Sequence, residues 1–536
     1  MTASISELAR ASQPRGTVRD AVFDFMLSHG MDRIFGNPGS TELPLFVDLP
    51  TELTYVLGLQ ESVVVAMADG YAQASGRAAF VNLHSAAGLG HAMGSVYTAF
   101  RNRSPLIITT GQQSRELLLH DPFLFAENAT EFPKPYVKWA CEPPTPQSVP
   151  QALARAWHMA MQHPRGPVMV SIPLSDWSEP AEAVAFREVS SSSSCDPAAL
   201  DALAAKLQNA RKPELVVGPG VDIDGAWDQT IALAEALGAK VWASPLSSRC
   251  SFPERHSLFA GFLAAHQPAL SKALGDADFV LVLGAPVFTY HFTGSGEHIP
   301  QGAELCLISD DPAQLAGAAV GNGIRASIRL AAEGLLERLV PRSKFGAQGE
   351  RAIPRLGATE GITPELFYQT LSDLRSKDSI VVEEAPTARD ALHDYFPIER
   401  PGGFFATASG GLGYGLPAAV GAALTKPDEP VIAILGDGSS MYSIQALWSA
   451  VEYDVDLLVV ILNNGGYAAL RGMAKKGQAR RIDGVDIGHL DFVALAEAQG
   501  CRATRCANGH ELESCLRASL QGKGPRLLEI VLTEED

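Results

Sequence analysis

Short, nearly continuous apolar runs alternate with helical patterns along the whole chain of 536 residues. Strands that are apolar on both faces are typical of parallel sheets that helices cover on both sides. We therefore predict an α/β protein with three doubly wound parallel sheets. The predicted strands are Asp32–Phe35, Tyr55–Leu59, Ala79–Leu83, Leu106–Thr110 and Val168–Ile172, then Glu214–Val217, Phe279–Leu283 and Glu304–Ile308, then Ile380–Val382, Val431–Leu435, Leu457–Leu462 and Leu527–Val531.

Two stretches of linker-like composition divide the chain. Ser190–Ser194 is a serine run, and the stretch from Pro341 to Leu356 is rich in Gly, Arg and Pro. They predict three domains of ordinary size, at residues 1–189, 196–341 and 357–536.

The charge balance and the cysteines restrict the class of protein. The chain has 42 basic and 60 acidic residues, a net charge of −18, which disfavours a nucleic-acid partner. Its apolar runs, such as Leu457–Leu462, are far shorter than the roughly 20 residues of a membrane span. Seven scattered cysteines without a C-x-x-C motif, and the lack of a recognisable secretion signal, favour a cytoplasmic enzyme with reduced thiols.

Polar turns follow two consecutive predicted strands of the last domain. Asp437 lies in a Gly-Asp-Gly-Ser-Ser turn, and Asn464 lies in an Asn-Asn-Gly-Gly turn. If the two strands are neighbours, a carboxylate and an amide oxygen share one crevice, which suits Mg²⁺ or Ca²⁺ together with a phosphate. Each motif alone is equally well explained as a simple turn.

The pairing of the two motifs favours the functional interpretation. Gly438 and Asn463 are separated by 24 residues, and the Gly-Asp-Gly and Asn-Asn pair resembles the signature that holds Mg²⁺ and diphosphate in thiamine diphosphate (ThDP) enzymes. Further motifs spread over the chain resemble the benzoylformate decarboxylase family. They are Gly36-Asn-Pro-Gly-Ser40-Thr-Glu-Leu-Pro, Leu59-Gln-Glu61, Ala68-Asp-Gly-Tyr-Ala-Gln-Ala-Ser75, Asn82-Leu-His84-Ser-Ala-Ala-Gly88, Gly284-Ala-Pro-Val-Phe-Thr-Tyr-His291 and Gly410-Gly-Leu412-Gly.

The resemblance implies pyrimidine-binding, central and pyrophosphate-binding domains, and active sites shared between subunits of a homotetramer. It implies that Glu61 bonds the aminopyrimidine ring, that Ser40 holds the carboxylate of a small 2-keto acid, and that His84 and His291 transfer protons. His91, close to His84 in the sequence, is interpreted as structural.

The resemblance also assigns the cofactor and metal residues. Those implied to contact ThDP, besides Glu61, are Thr387, Gly410, Leu412, Gly438, Ser439 and Tyr467. Those implied to ligate the metal, Mg²⁺ or Ca²⁺, are Asp437, Asn464 and Gly466 through its carbonyl.

Some positions depart from the family pattern. Aryl-specific relatives have bulky aromatic residues where this chain has Gly472-Met473 and Ala406-Thr407, and Pro386 precedes Thr387. The leading hypothesis is non-oxidative decarboxylation of an aromatic 2-keto acid to an aldehyde. The alternatives are a carboligase of the acetolactate synthase type and a catalytically idle subunit of the same fold.

Overall fold

The computed structural model describes residues 16–342, 349–357, 359–426, 428–478 and 481–533. The described residues fall into two compact units, a first unit within Met1–Ala72 and Arg77–Ser190 and a second unit within Gln73–Gly76 and Ser191–Asp536. No helix within the described ranges is long and apolar enough to cross a membrane. All seven cysteines are free thiols.

The described residues form three six-stranded sheets in which every pairing is parallel. The strands are β1 Arg33–Gly36, β2 Thr54–Leu57, β3 Ala79–Leu83, β4 Leu106–Gln112, β5 Ala140–Cys141, β6 Val168–Pro173, β7 Pro213–Val217, β8 Lys240–Ala243, β9 Phe259–Phe262, β10 Phe279–Leu283, β11 Glu304–Ser309, β12 Asn322–Arg325, β13 Ile380–Glu384, β14 Phe404–Ala406, β15 Val431–Gly436, β16 Leu457–Asn463, β17 Arg502–Cys506 and β18 Arg526–Val531. The predicted fold class is confirmed.

Helices alternate with these strands and bury their apolar faces against them. They are α1 Val18–Ser28, α2 Leu43–Phe46, α3 Glu61–Ser75, α4 Ser85–Asn102, α5 Val149–Met161, α6 Pro197–Asn209, α7 Pro219–Ile223, α8 Trp227–Leu237, α9 Gln267–Ala273, α10 Pro312–Ala316, α11 Ile328–Leu336, α12 Pro364–Leu374, α13 Arg389–Tyr395, α14 Gly415–Ala423, α15 Asp437–Ser440, α16 Ala446–Glu452, α17 Ala468–Lys476, α18 Phe492–Glu497 and α19 Leu512–Gln521, with short 3₁₀ helices at Arg115–His120, Pro146–Ser148 and Leu174–Ser178. Each sheet has its own buried apolar cluster.

Each predicted strand occurs within two residues of its predicted bounds, and Phe279–Leu283 matches at both ends. The strands that were not predicted are β5, β8, β9, β12, β14 and β17. All of them lie at a sheet edge except β8, which lies next to the edge strand β9. Several are substantially exposed, such as β12, and therefore lack the apolar run that marks a central strand.

The first and third sheets share one strand order, β2-β1-β3-β4-β6-β5 and β14-β13-β15-β16-β18-β17. In each of these sheets the second and third strands lie on opposite sides of the first, so the connections change direction there. The crevice at that switch point, beyond the carboxyl ends of the strands, is where ligands bind. The strands of each sheet fall within one of the predicted segments 1–189, 196–341 and 357–536. The boundaries themselves stay a prediction.

Candidate active site

A cavity of about 440 Å³ lies at the carboxyl ends of β13, β15 and β16, on the switch point of the third sheet. It brings together every cofactor and metal residue predicted in the last domain. These are Thr387, Gly410, Leu412, Asp437, Gly438, Ser439, Asn464, Gly466 and Tyr467. Met473, one of the positions that depart from the family pattern, also lines the cavity.

Asp437 and Asn464 follow neighbouring strands, as the sequence suggested, because β15 pairs with β16 in parallel. The Asp437 carboxylate is buried and accepts hydrogen bonds from the backbone N–H of Gly438 at 2.6 Å and of Gly466 at 2.8 Å. Burial raises the pKa of Asp437, and those N–H donors oppose the rise. A bound cation would therefore stabilise the Asp437 carboxylate, which burial has removed from water.

The side-chain oxygen of Asn464 is buried and has no hydrogen-bond partner among the described residues. Buried polar atoms without a partner are rare in proteins and call for an explanation such as an absent ion. The described residues contain no group of three or more His, Cys, Asp and Glu side chains that could hold a metal. A metal beside Asp437 would thus take neutral oxygens as its other ligands, and Asn464 provides one.

Two glycines keep the backbone close around this site. A Cβ atom on Gly438 would lie 2.4 Å from the Tyr467 ring, and one on Gly466 would lie 2.2 Å from the Val485 carbonyl oxygen. Gly466 also has a φ of +153°, which disfavours residues with side chains. The turns are therefore glycine-rich because their backbones pack closely.

Glu384, the last residue of β13, is a buried carboxylate behind the cavity. It accepts hydrogen bonds from the backbone N–H groups of Gly413 at 2.7 Å, Tyr414 at 3.3 Å and Gly415 at 2.9 Å. Burial raises its pKa to about 8 against the opposing effect of these donors. Its own carbonyl accepts the Ser439 hydroxyl at 2.8 Å. Glu384 thus fixes the backbone that follows Leu412.

The candidate residues of the first unit follow the carboxyl ends of three adjacent strands. Ser40 comes after β1, Glu61 after β2, and His84 after β3, in a sheet ordered β2-β1-β3. Ser40 is exposed, whereas Glu61 and His84 are half-buried. The sheet therefore directs all three to one edge.

His84 is held by the buried carboxylate of Glu42. Nδ1 of His84 lies 2.9 Å from Oε2 of Glu42 and 3.2 Å from the Thr41 hydroxyl. The ring packs on Gly39, where a Cβ atom would lie 2.0 Å from Nδ1. Glu42 thus engages Nδ1 of the imidazole, and Nε2 is the ring nitrogen that remains for exchange of a proton.

His91, interpreted from the sequence as structural, contacts the candidate catalytic residue Glu61. Its Nδ1 lies 3.1 Å from Oε2 of Glu61. The two residues are 30 positions apart and come from α3 and α4, so sequence spacing gave no signal. Glu42 could have been noticed as an acidic residue within the motif that contains Ser40.

His291, the candidate of the central domain, lies outside the cavity of the third sheet. It follows β10 by a loop, is exposed, and its backbone N–H donates to the Ala265 carbonyl at 2.9 Å. Its ring contacts Phe292 with centroids 4.6 Å apart. The proton-transfer role implied for His291 stays a prediction.

Family models match each third of the chain. They describe the N-terminal TPP binding domain of thiamine pyrophosphate enzymes at residues 16–129, the central domain at 200–335, and the C-terminal TPP binding domain at 387–530. TPP, thiamine pyrophosphate, is another name for ThDP.

Individual relatives cover nearly the whole chain. Benzoylformate decarboxylase of Pseudomonas aeruginosa is 42% identical over 96% of this chain and 98% of its own. The solved ThDP-dependent 4-hydroxybenzoylformate decarboxylase of Rhodococcus jostii RHA1 is 38% identical, with a TM-score of 0.94 over 97% of this chain and all of that one. The benzoylformate decarboxylase structure from Polynucleobacter necessarius is 37% identical, also with a TM-score of 0.94, over 97% of this chain and 99% of its own. By domain content, sequence and fold, this chain belongs to the family of thiamine pyrophosphate enzymes that includes benzoylformate decarboxylase.

Proposed function

We propose that this protein is a ThDP- and metal-dependent decarboxylase that converts an aromatic 2-keto acid to an aldehyde and carbon dioxide. The observation that carries the proposal is the cavity at the third sheet, where Asp437 and the unpartnered oxygen of Asn464 lie together beside Leu412. The similarity to relatives that are named benzoylformate and 4-hydroxybenzoylformate decarboxylases supports the substrate class.

The residues of the cavity fit the diphosphate end of ThDP and its metal. Asp437, Asn464 and the Gly466 carbonyl offer one anionic and two neutral oxygens, the hard ligands that Mg²⁺ and Ca²⁺ prefer. We assign Gly438, Ser439 and Thr387 to the diphosphate, and Gly410, Leu412 and Tyr467 to the organic part of the cofactor. Bound ThDP supplies the electron sink that lets carbon dioxide leave a 2-keto acid.

The first unit supplies groups that hold and move protons. We assign Glu61 to hold a proton at the aminopyrimidine ring and Ser40 to bind the substrate carboxylate. His84 would exchange a proton through Nε2, because Glu42 engages Nδ1. His291 would be a second proton donor. Positioned acid–base groups of this kind each contribute about 10²–10⁴-fold to a rate.

The test is a panel of aromatic, branched aliphatic and short 2-keto acids, incubated with ThDP and Mg²⁺ and analysed for products as well as rates. We expect aldehyde as the main product and benzoylformate among the substrates. We also expect wide tolerance, because Met473 replaces a bulky aromatic residue at the cavity. One lost contact is worth only about 1–3 kcal/mol of discrimination.

Other products would contradict the proposal in distinct ways. Hydroxyketone as the main product would assign a carboligase, and no turnover of any keto acid would assign an idle subunit. Asp437→Asn tests the metal site, since it keeps the shape of the side chain and removes the anionic ligand. If this variant without added metal is as active as the wild type with Mg²⁺, the metal site is refuted.

We also propose that the protein acts in the cytoplasm as a homo-oligomer with active sites shared between subunits. Large apolar side chains are exposed in one segment of the first unit, where Leu119 is 93% and Phe123 is 85% exposed. Such exposure supports an interface with a second copy. Light scattering of the purified protein would test the subunit number, and a monomer would refute the shared site.

A further inference from the structure

One face of α4 presents two histidine side chains with a glycine, which has no side chain, between them. His84 occupies the position before the first helical residue, Gly88 follows four residues later, and His91 follows three residues after that, so the three lie in one row. A Cβ atom on Gly88 would lie only 3.2 Å from Oε1 of Glu61. The Glu61 carboxylate therefore lies against this row of residues at Gly88, where the helix has no side chain.

The two oxygens of Glu61 have different surroundings. Oε2 is 3.1 Å from Nδ1 of His91, and Oε1 lies against Gly88. Among the residues that the structure describes, His91 is the hydrogen-bond partner of this carboxylate. The Glu61 side chain is 13% exposed, whereas that of His91 is 65% exposed.

We propose that His91 is a positioning residue for Glu61: it holds Oε2 and thereby presents Oε1 to the cofactor. This inference rests on the proposed function, in which Glu61 bonds the aminopyrimidine ring. The terminal torsion of a glutamate side chain has no sharply preferred value, so an unanchored carboxylate can rotate. A fixed oxygen removes that freedom before the cofactor binds.

The expected effect is moderate because the contact is a single hydrogen bond. Loss of the contact should weaken ThDP binding in Mg²⁺ by about fivefold, the size expected for the net contribution of one hydrogen bond. Turnover should fall as well, since Glu61 would spend less time in the productive orientation.

The test is a double-mutant cycle on ThDP affinity, measured by isothermal titration calorimetry of the full-length protein in Mg²⁺. His91→Leu should weaken binding about fivefold, and His91→Asn should stay within about twofold of wild type, because the amide nitrogen can replace Nδ1 as a donor. In a Glu61→Ala background, where Nδ1 has lost its acceptor, His91→Leu should change the affinity less than about twofold.

His510→Leu serves as the matched control, because His510 is an exposed histidine of the second unit. It should bind ThDP as the wild type does. Equal effects of His91→Leu in both backgrounds, or an equal loss in His91→Asn, would overturn the inference while leaving the proposed function intact. Wild-type affinity and turnover in Glu61→Gln would instead overturn the proposed role of Glu61, and this inference with it.

Discussion

The buried carboxylate of Glu384 should make the stability of the protein depend on pH in a way that a single substitution removes. Burial raises its pKa from the ordinary 4.5 to about 8. Below about pH 4.5 the carboxyl group of Glu384 is protonated in both the folded and the unfolded protein, so its contribution to the stability of the folded state is fully present. That contribution is lost as the pH rises through about 8.

The size of the effect follows from this pKa and from the hydrogen bonds. The rise from 4.5 to about 8 corresponds to a loss of about 5 kcal/mol of stability across that pH window, at 1.36 kcal/mol per pKa unit. In Glu384→Gln the side chain stays neutral, but its amide nitrogen faces the Gly415 N–H in place of Oε2, which now accepts it at 2.9 Å. Two opposed donors should cost about 1–3 kcal/mol at every pH.

The two effects have opposite signs, so the stability curves should cross. At pH 5 the wild type should be more stable than Glu384→Gln by about 1–3 °C of Tm, and at pH 9 the variant should be more stable by about 3–6 °C, at roughly 1–2 °C per kcal/mol for a unit of this size. The assay is thermal unfolding from pH 5 to 9 after dialysis against a chelator, so that cofactor binding adds no pH dependence of its own.

A surface substitution separates this effect from the general pH dependence of the fold. Glu337, 78% exposed, offers the control Glu337→Gln, whose curve should run parallel to that of the wild type. A constant difference in Tm between the wild type and Glu384→Gln over the whole range would refute the reasoning.

Three further results are expected at the candidate site. Asp437→Asn should lose ThDP and divalent ion together on dialysis, since a site with one carboxylate depends on its charge; metal analysis and chromatographic quantification of the ThDP released from the dialysed protein measure both. His84→Ala and His291→Ala should each slow turnover by at least ~10²-fold with ThDP still bound, and single-turnover kinetics should show them stalling at different steps. Gly438→Ala should weaken ThDP binding in a titration, because its Cβ atom would lie 2.4 Å from the Tyr467 ring; unchanged affinity would contradict the close packing.

The sequence alone determined the architecture because parallel strands at the centre of a sheet must be apolar on both faces. Central strands such as β10 and β16 were therefore found almost to the residue. Edge strands such as β12 and β17 were not, because partly solvated strands need no apolar run.

The sequence also determined the site of the last domain, for a related reason. Parallel strands bring their carboxyl ends to one edge, so polar residues that follow apolar runs converge there. Asp437 and Asn464 were predicted together on this ground, and the pairing of β15 with β16 brings them into one cavity.

Only the tertiary structure decided which side chains touch across elements. The contacts of Glu42 with His84 and of His91 with Glu61 join residues 42 and 30 positions apart. No local periodicity records such contacts, because each depends on how a strand, a loop and a helix lie against one another. The unpartnered oxygen of Asn464 and the buried carboxylate of Glu384 likewise became visible only once the surrounding chain was in place, since burial and hydrogen bonding are properties of the packed molecule.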